Sequence, residues 1–313
     1  MTVMSLTFLV FFCCCGLLFA QQSERNRDLL YEYEGTYEFS DGRRITLGIF
    51  DEFNKSLVYL DLKTLKVGAL IPISENVFKE NNDASLTFEF QRDPTGKVVH
   101  LKTSQGFAAN AERVMPHKRK AVSFKSNGRT LRGDLYLPDR KGKFPAVAFA
   151  HGSGPSTRGV AFFTTYFLQL GIGVLTFDKQ GAGESEGDWE TASFDELSSD
   201  ILAGIDLLRS RPDIDKKKIG ILGNSQGGWV GTMAASKSRH VKFLLMRVGS
   251  GENVLETISY EYRGSLIADG LTASEANQAV QMYREHWTAS ARSGRWEDGD
   301  TAILKYQKEP WFK

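Results

Sequence analysis

Cysteine is almost missing from this chain: the three present, Cys13, Cys14 and Cys15, are consecutive and lie in one apolar segment near the N-terminus. Beyond Cys15 there is no thiol, which excludes cysteine catalysis, a disulfide framework and thiolate metal sites from the body of the protein. Each of the three follows a bulky residue or another cysteine, not Gly, Ala or Ser, which argues against bacterial lipid attachment. A surplus of one charge sign is also absent. With 39 Lys and Arg against 38 Asp and Glu, the formal net charge is +1, and the basic residues are spread along the chain. That pattern excludes the electrostatic footprint of a nucleic-acid binder. The short basic cluster His117–Lys120 reads as a solvated linker. Histidine is scarce, at five, and His100 reads as a strand residue and not a metal ligand. No metal and no cofactor are expected.

Long apolar runs are missing after residue 20. The one before it, Leu6–Ala20, ends at the polar segment Gln21–Asp28 and reads as a signal peptide, residues 1–20, cleaved near Ala20. A membrane anchor is the alternative, although the run is shorter than the about 20 apolar residues that span a bilayer. Export predicts a secreted or periplasmic protein without stable membrane insertion, and a chain free of cysteine suits the periplasm.

The remaining length, in a chain 41% hydrophobic, is enough for two domains. Residues 25–115 alternate short β-type runs, TYEF, ITLGIF, SLVYLDL, SLTFEF and KVVHLKT, with turns at Asp41-Gly42, Asn81-Asn82-Asp83 and Pro94-Thr95-Gly96. This predicts a small all-β accessory domain. Its Tyr33-Glu-Gly-Thr-Tyr37 start and its Phe88-x-Phe-x-x-Asp-x-x-Gly-x-Val98 hairpin resemble compact β modules appended to secreted serine hydrolases. A linker is expected at Met115–Lys120. In residues 121–251, VSFKSNG and TLRGDLYLP form a hairpin. PAVAFA (145–150), GVLTF (173–177) and KIGILG (218–223) follow as continuous apolar runs, the mark of parallel strands buried on both faces. Ser193-Phe-Asp-Glu196 is a capping box, with Leu197, Ile201, Ile205 and Leu208 at helical spacing behind it and Pro212 beyond. Strands alternating with helices predict an α/β doubly wound, mostly parallel sheet, with ligands at the carboxyl ends of its strands.

At one such end stands IGILGNSQGGW. Gly223-Asn224-Ser225-Gln226-Gly227 places a serine between glycines directly after an apolar strand, so the chain turns sharply into a helix and presents Ser225 at the tip. A serine nucleophile needs a base and donors for the oxygen that becomes negative in the attack. Candidate donors are the backbone N–H groups of Gln226 and Ser153, the latter in His151-Gly152-Ser153-Gly154-Pro155 directly after PAVAFA. His151, Gly152, Gly154, Gly223 and Gly227 support the two turns. As bland alternatives, HGSG is a glycine turn with a packed histidine and GNSQG a strand-to-helix turn with a capping serine.

Taken in order, HGSGP, FDKQGAGESEG (177–187) and GNSQGG resemble the α/β-hydrolase superfamily, in its serine esterase and S33 or S9-like peptidase branch. Gln180 replaces the arginine usual in the second motif, and Asp178 reads as a loop organiser. The resemblance implies a triad ordered serine, acid, histidine, and hence partners after Ser225. VKFLLMRVGSG (241–251) reads as the next strand. Residues 252–313 read as a helical cap, with Thr272-Ala-Ser-Glu275 capping a helix that carries Ala276, Val280, Tyr283 and Trp287. His286 lies mid-helix, His240 at the wrong sheet end, and Asp269, Asp298 and Asp300 follow no core strand. The triad Asp and His are therefore expected beyond Lys313, in a longer protein. The implied activity is hydrolysis of carboxylic esters, thioesters or peptides through an acyl-enzyme on Ser225, with esters ranked first. A serine aminopeptidase or an acyl transferase is the alternative within that class, and a non-catalytic, hydrolase-like binding protein the alternative outside it.

Overall fold

The computed structural model describes residues 30, 32–50, 56–105, 110–114, 117–139 and 141–312. The segment read as a signal peptide, with its three cysteines, lies outside them. The chain divides into two compact units, one holding Ser23–Gly249 and the other Ser250–Lys313.

The first unit opens with a closed barrel of eight strands. They are β1 (Gly35–Phe39), β2 (Arg44–Phe50), β3 (Ser56–Asp61), β4 (Val67–Ser74), β5 (Val77–Glu80), β6 (Thr87–Arg92), β7 (Val98–Thr103) and β8 (Asn110–Val114). Each strand pairs antiparallel with the next, and β8 returns to pair with β1, which leaves no free edge. Residues two apart point inward together, so Ile45 and Leu47, Leu57 and Tyr59, and Phe88 and Phe90 fill the interior with Tyr33, Tyr37 and Phe78. Five strands are legible as apolar runs, and the barrel adds β4, β5 and β8. Pro72 interrupts the apolar stretch of β4, whose last three residues are exposed. Strand β8, Asn-Ala-Glu-Arg-Val, has no apolar run at all.

The expected linker does not hold at its C-terminal half. His117–Lys120 forms the start of β9 (His117–Ser126), paired along its length with β10 (Arg129–Pro138) through a turn at Asn127 and Gly128, so the sheet begins before residue 121. The backbone pairing overrides the charge of the segment: Lys118 and Lys120 are exposed, Arg119 turns to the buried Asp134 carboxylate at 2.7 Å, and His117 is half-buried. The sheet continues with β11 (Phe144–Ala150), β12 (Gly173–Phe177), β13 (Ile214–Asn224) and β14 (Leu244–Arg247), in the order β14-β13-β11-β12-β10-β9. The pairs of β11 with β12 and β13, and of β13 with β14, are parallel, and the two that include β10 are antiparallel.

Both faces of the central strands are covered, which is why β11, β12 and the end of β13 read as unbroken apolar runs, whereas Leu245 and Met246 on the edge strand β14 are exposed. On β11, Ala146, Ala148 and Ala150 face a core shared with α2 (Phe194–Ser210) and α3 (Gln226–Lys237). Val147 and Phe149 point the other way, against Phe163 and Phe167 of α1 (Ala161–Gln169). Val58 of the barrel joins that second cluster, so α1 lies between barrel and sheet. Helix α2 starts at the expected capping box on Ser193 and Glu196 and buries Leu197, Ile201, Ile205 and Leu208, each burial contributing roughly 1.5–3 kcal/mol.

The second unit is helical, as expected for 252–313. It comprises α4 (Val254–Ala268), α5 (Ala273–Ser293), a 3₁₀ turn (Trp296–Gly299) and α6 (Asp300–Tyr306). Thr272 and Glu275 form the capping box of α5, and Gly294 in a left-handed conformation ends it.

Candidate active site

Strand β13 ends at Asn224 and helix α3 begins at Gln226, so a single residue, Ser225, makes the turn. Its backbone has φ 52 and ψ −119, a conformation that costs a non-glycine residue on the order of 1–3 kcal/mol. The surroundings hold it there. Its N–H donates to the Arg247 carbonyl at 2.9 Å, and its own carbonyl accepts from Gly228 N–H at 2.8 Å. The glycines on either side are obligatory: a Cβ on Gly223 would sit 2.4 Å from the Gly227 carbonyl oxygen, and one on Gly227 2.0 Å from that of Ala150. Ser225 is half-buried at the tip, and the Gln226 N–H that follows opens a helix and has no intrahelical acceptor.

The loop after β11 supplies the facing wall. His151 is buried there as a packing residue: its Nε2 donates to the Phe177 carbonyl at 2.5 Å and its ring meets Phe149 edge-on. Gly152 is buried, Ser153 is exposed, and Gly154 turns the chain outward at φ +85. The second motif, FDKQGAGESEG, is stitched to this loop. Asp178 accepts from Arg158 N–H at 2.8 Å, from its guanidinium at 3.0 and 2.5 Å, and from Glu184 N–H at 2.9 Å. Burial alone would raise the Asp178 carboxyl, but Arg158 and these N–H groups outweigh it and hold the pKa below the ordinary range. Asp178 thus ties two loops together, as its position suggested. Gln180, where the family has arginine, is fully buried, and a Cβ on Gly187 would touch its side chain. Its Nε2 is buried there without a hydrogen-bond partner among the described residues, a smaller cost than an unpaired guanidinium would carry.

Three residues of this region were not singled out by the sequence. Lys179 is buried, its Nζ donating to the Gly152 carbonyl at 3.0 Å and to Gln226 Oε1 at 2.7 Å, and burial pushes its pKa down to about 8. Arg158 is the partner of Asp178. Arg247 donates to Asn224 Oδ1 at 2.7 Å, and its guanidinium lies 5.3 Å from the Phe163 ring centre. The next residue, exposed Val248, takes φ 46, an outlier for a β-branched side chain. The signal for Lys179 was available: it lies inside the FDKQGAGESEG motif, directly after the strand end.

In the helical unit, His286 is buried, edge-on against Trp296 at 4.4 Å, with Nε2 3.3 Å from Asp300 Oδ1. His240 precedes β14 and so lies at the end of that strand opposite Arg247. Among the described residues, no group of His, Cys, Asp and Glu is arranged to hold a metal ion, and no helix is long and apolar enough to cross a membrane.

Residues 127–312, more than half of the chain, match the sequence profile of the X-Pro dipeptidyl-peptidase family, S15. Thiohydrolase aneE of Aspergillus aculeatus is 30% identical over 208 residues, which is 60% of this chain and 61% of that protein. The human mitochondrial palmitoyl-protein thioesterase ABHD10 is 28% identical over 149 residues, 47% of either chain. A solved structure, hypothetical protein PA2218 of Pseudomonas aeruginosa, aligns with a TM-score of 0.42 at 24% identity, covering 58% of this chain and 56% of that one. The chain thus spans about half to three-fifths of the length of these curated relatives.

Proposed function

From the premise that the chain belongs to the S15 family of the α/β-hydrolase superfamily, we propose that it is a serine hydrolase of acyl compounds, with Ser225 as nucleophile. The observation that carries this reading is the one-residue turn at Ser225, strained at φ 52 and enclosed by glycines that no other residue can replace. A binding module has no reason to keep a serine in so strained a conformation. Ser225 Oγ attacks the carbonyl carbon, and the charge that develops on the carbonyl oxygen meets the N–H groups of Gln226 and Ser153. The bond to the alcohol or thiol breaks, the leaving group takes up the proton given up by Ser225 Oγ, and water then releases the acid from the acyl-serine and restores the Ser225 hydroxyl.

Esters and thioesters are the preferred substrates in this reading, supported by the thiohydrolase and thioesterase among the relatives. A peptide bond is the second substrate class, favoured by the family's description as an X-Pro dipeptidyl-peptidase. The test is labelling with a fluorophosphonate probe of the protein expressed from its full open reading frame. Stoichiometric labelling that Ser225→Ala abolishes is the expected result; no labelling, or labelling that survives the substitution, would sink the reading.

We also propose export, on the apolar run Leu6–Ala20 followed by a polar stretch. N-terminal sequencing of the protein recovered from its native host should begin near Gln21; an intact Met1 would refute this.

A further inference from the structure

Lys179 is the buried cation that the proposed chemistry leaves unused. Its side chain is inside the protein, 5% exposed, and among the described residues it forms no ion pair, not even with the buried Asp200 that lines the same cavity. An ammonium buried without a counter-charge is destabilising, and such groups are kept where they act. Its two acceptors are informative: the Gly152 carbonyl oxygen at 3.0 Å and Gln226 Oε1 at 2.7 Å. Each belongs to a residue at one of the two oxyanion donors. The Gly152 carbonyl and the Ser153 N–H are parts of one peptide unit, and in a planar trans unit they point in opposite directions. A donor that fixes the carbonyl oxygen on the inner side therefore aims the Ser153 N–H outward, to the side on which Ser153 is exposed.

The backbone of Lys179 reinforces the arrangement. Its N–H donates to the Ser156 carbonyl at 3.0 Å, and neighbouring Asp178 receives the Arg158 N–H at 2.8 Å. The loop 152–158 is thereby fixed at three points to the strand end that carries the ammonium. Resting on the reading of Ser225 as nucleophile, we propose that Lys179 is the positioning residue of the oxyanion site. One ammonium sets the peptide plane of Gly152–Ser153, holds it to the helix start at Gln226, and places a positive charge behind the donor. A hydrogen bond to the carbonyl also polarises the unit and makes its N–H a stronger donor.

Lys179→Met, similar in length and without a charge, tests this in the protein expressed from its full open reading frame, with p-nitrophenyl acetate as substrate. Removing an oxyanion donor outright lowers kcat by about 10²–10³-fold, so losing its positioning should lower kcat by about 10–100-fold with KM nearly unchanged. Gln226→Leu, which leaves the ammonium on Gly152, should lower kcat by only about 3–10-fold by the same reasoning. A second readout needs no turnover: in Lys179→Met the Ser153 amide nitrogen should move upfield in the ¹⁵N spectrum, because its carbonyl partner has lost a donor. Unchanged kcat in a folded Lys179→Met protein whose activity still depends on Ser225 would overturn the positioning role and leave the nucleophile standing. Wild-type protein without Ser225-dependent turnover would overturn the nucleophile. The Ser153 shift then decides the positioning alone, an unmoved resonance counting against it. Should Lys179→Met not fold, a Gln226→Leu protein with kcat equal to wild type would overturn the proposal.

Discussion

Two glycines of the barrel, Gly42 and Gly96, take positive φ in open turns, where an added Cβ would meet nothing within 4 Å. In the sheet, Gly223 and Gly227 take ordinary φ values, yet a Cβ on either would press into backbone at 2.4 and 2.0 Å. Gly42 and Gly96 serve chain reversal, whereas Gly223 and Gly227 serve close approach around one serine. Buried charge divides by partner and not by region. Asp61 of the barrel would be raised by burial, but Arg43, Thr64 and the Lys63 N–H outweigh that and hold it down to about 2. Under the sheet, burial pushes Asp200 up to about 6 against the pull of Ser126, and Lys179 down to about 8. A buried carboxylate with an arginine partner is held down, as Asp178 of the sheet also is by Arg158, while buried groups without one shift toward their neutral forms, as Glu34 beside the barrel does at about 7.

Substitutions can break this contrast. The largest effect is expected of Ser225→Ala, which should lower turnover on the order of 10⁶-fold while leaving the melting curve unchanged or raised. Gly227→Ala should destabilise by about 3 kcal/mol or more, because backbone cannot yield to the new methyl, and should remove activity in whatever still folds. Phe88→Ala in the barrel core, next to Tyr59 at 5.0 Å, should cost about 3–5 kcal/mol in denaturant unfolding yet leave kcat of the folded fraction intact. A matching loss of kcat would show that the barrel is part of the machinery. Gly42→Ala should cost only about 1 kcal/mol, from its positive φ alone.

The smallest effects are pH-dependent, and their signs oppose. A carboxyl raised to about 6 contributes stability below its unfolded pKa and loses it as pH rises through 6. Asp200→Asn should therefore raise the melting temperature at pH 8 and do little at pH 4. A carboxyl lowered to about 2 contributes above its unfolded pKa and loses that as pH falls through 2. Asp61→Asn should accordingly lower the melting temperature at pH 7, with the difference fading toward pH 2. Calorimetric scans of both variants across this range would expose equal signs, which would erase the contrast.

Much of the sheet was legible because its strands and caps obey local rules. GVLTF coincides with β12, and the capping boxes at Ser193 and Thr272 start helices where expected. The elbow was legible for the same reason, since glycine spacing around a serine is a local pattern. Barrel closure was not, because it depends on β8 meeting β1 across some 75 residues, and nothing in Asn-Ala-Glu-Arg-Val announces that partner. The strand at His117–Lys120 was hidden by its charge, which says which way side chains point and not whether the backbone is paired. Lys179 escaped notice because burial of a lysine is a tertiary fact: only the Gly152 carbonyl and Gln226, distant in sequence, reveal it.

In the pairing of β8 with β1, Thr36 stands opposite Val114, so the chain enters and leaves the barrel at neighbouring points. A segment with adjacent ends is a cassette: it can be cut out, or exchanged for another, with only a short splice between its flanks. Adjacent ends would let the α/β sheet exchange its barrel for another module by a short splice, provided the new module also covers the apolar cluster that Val58 joins.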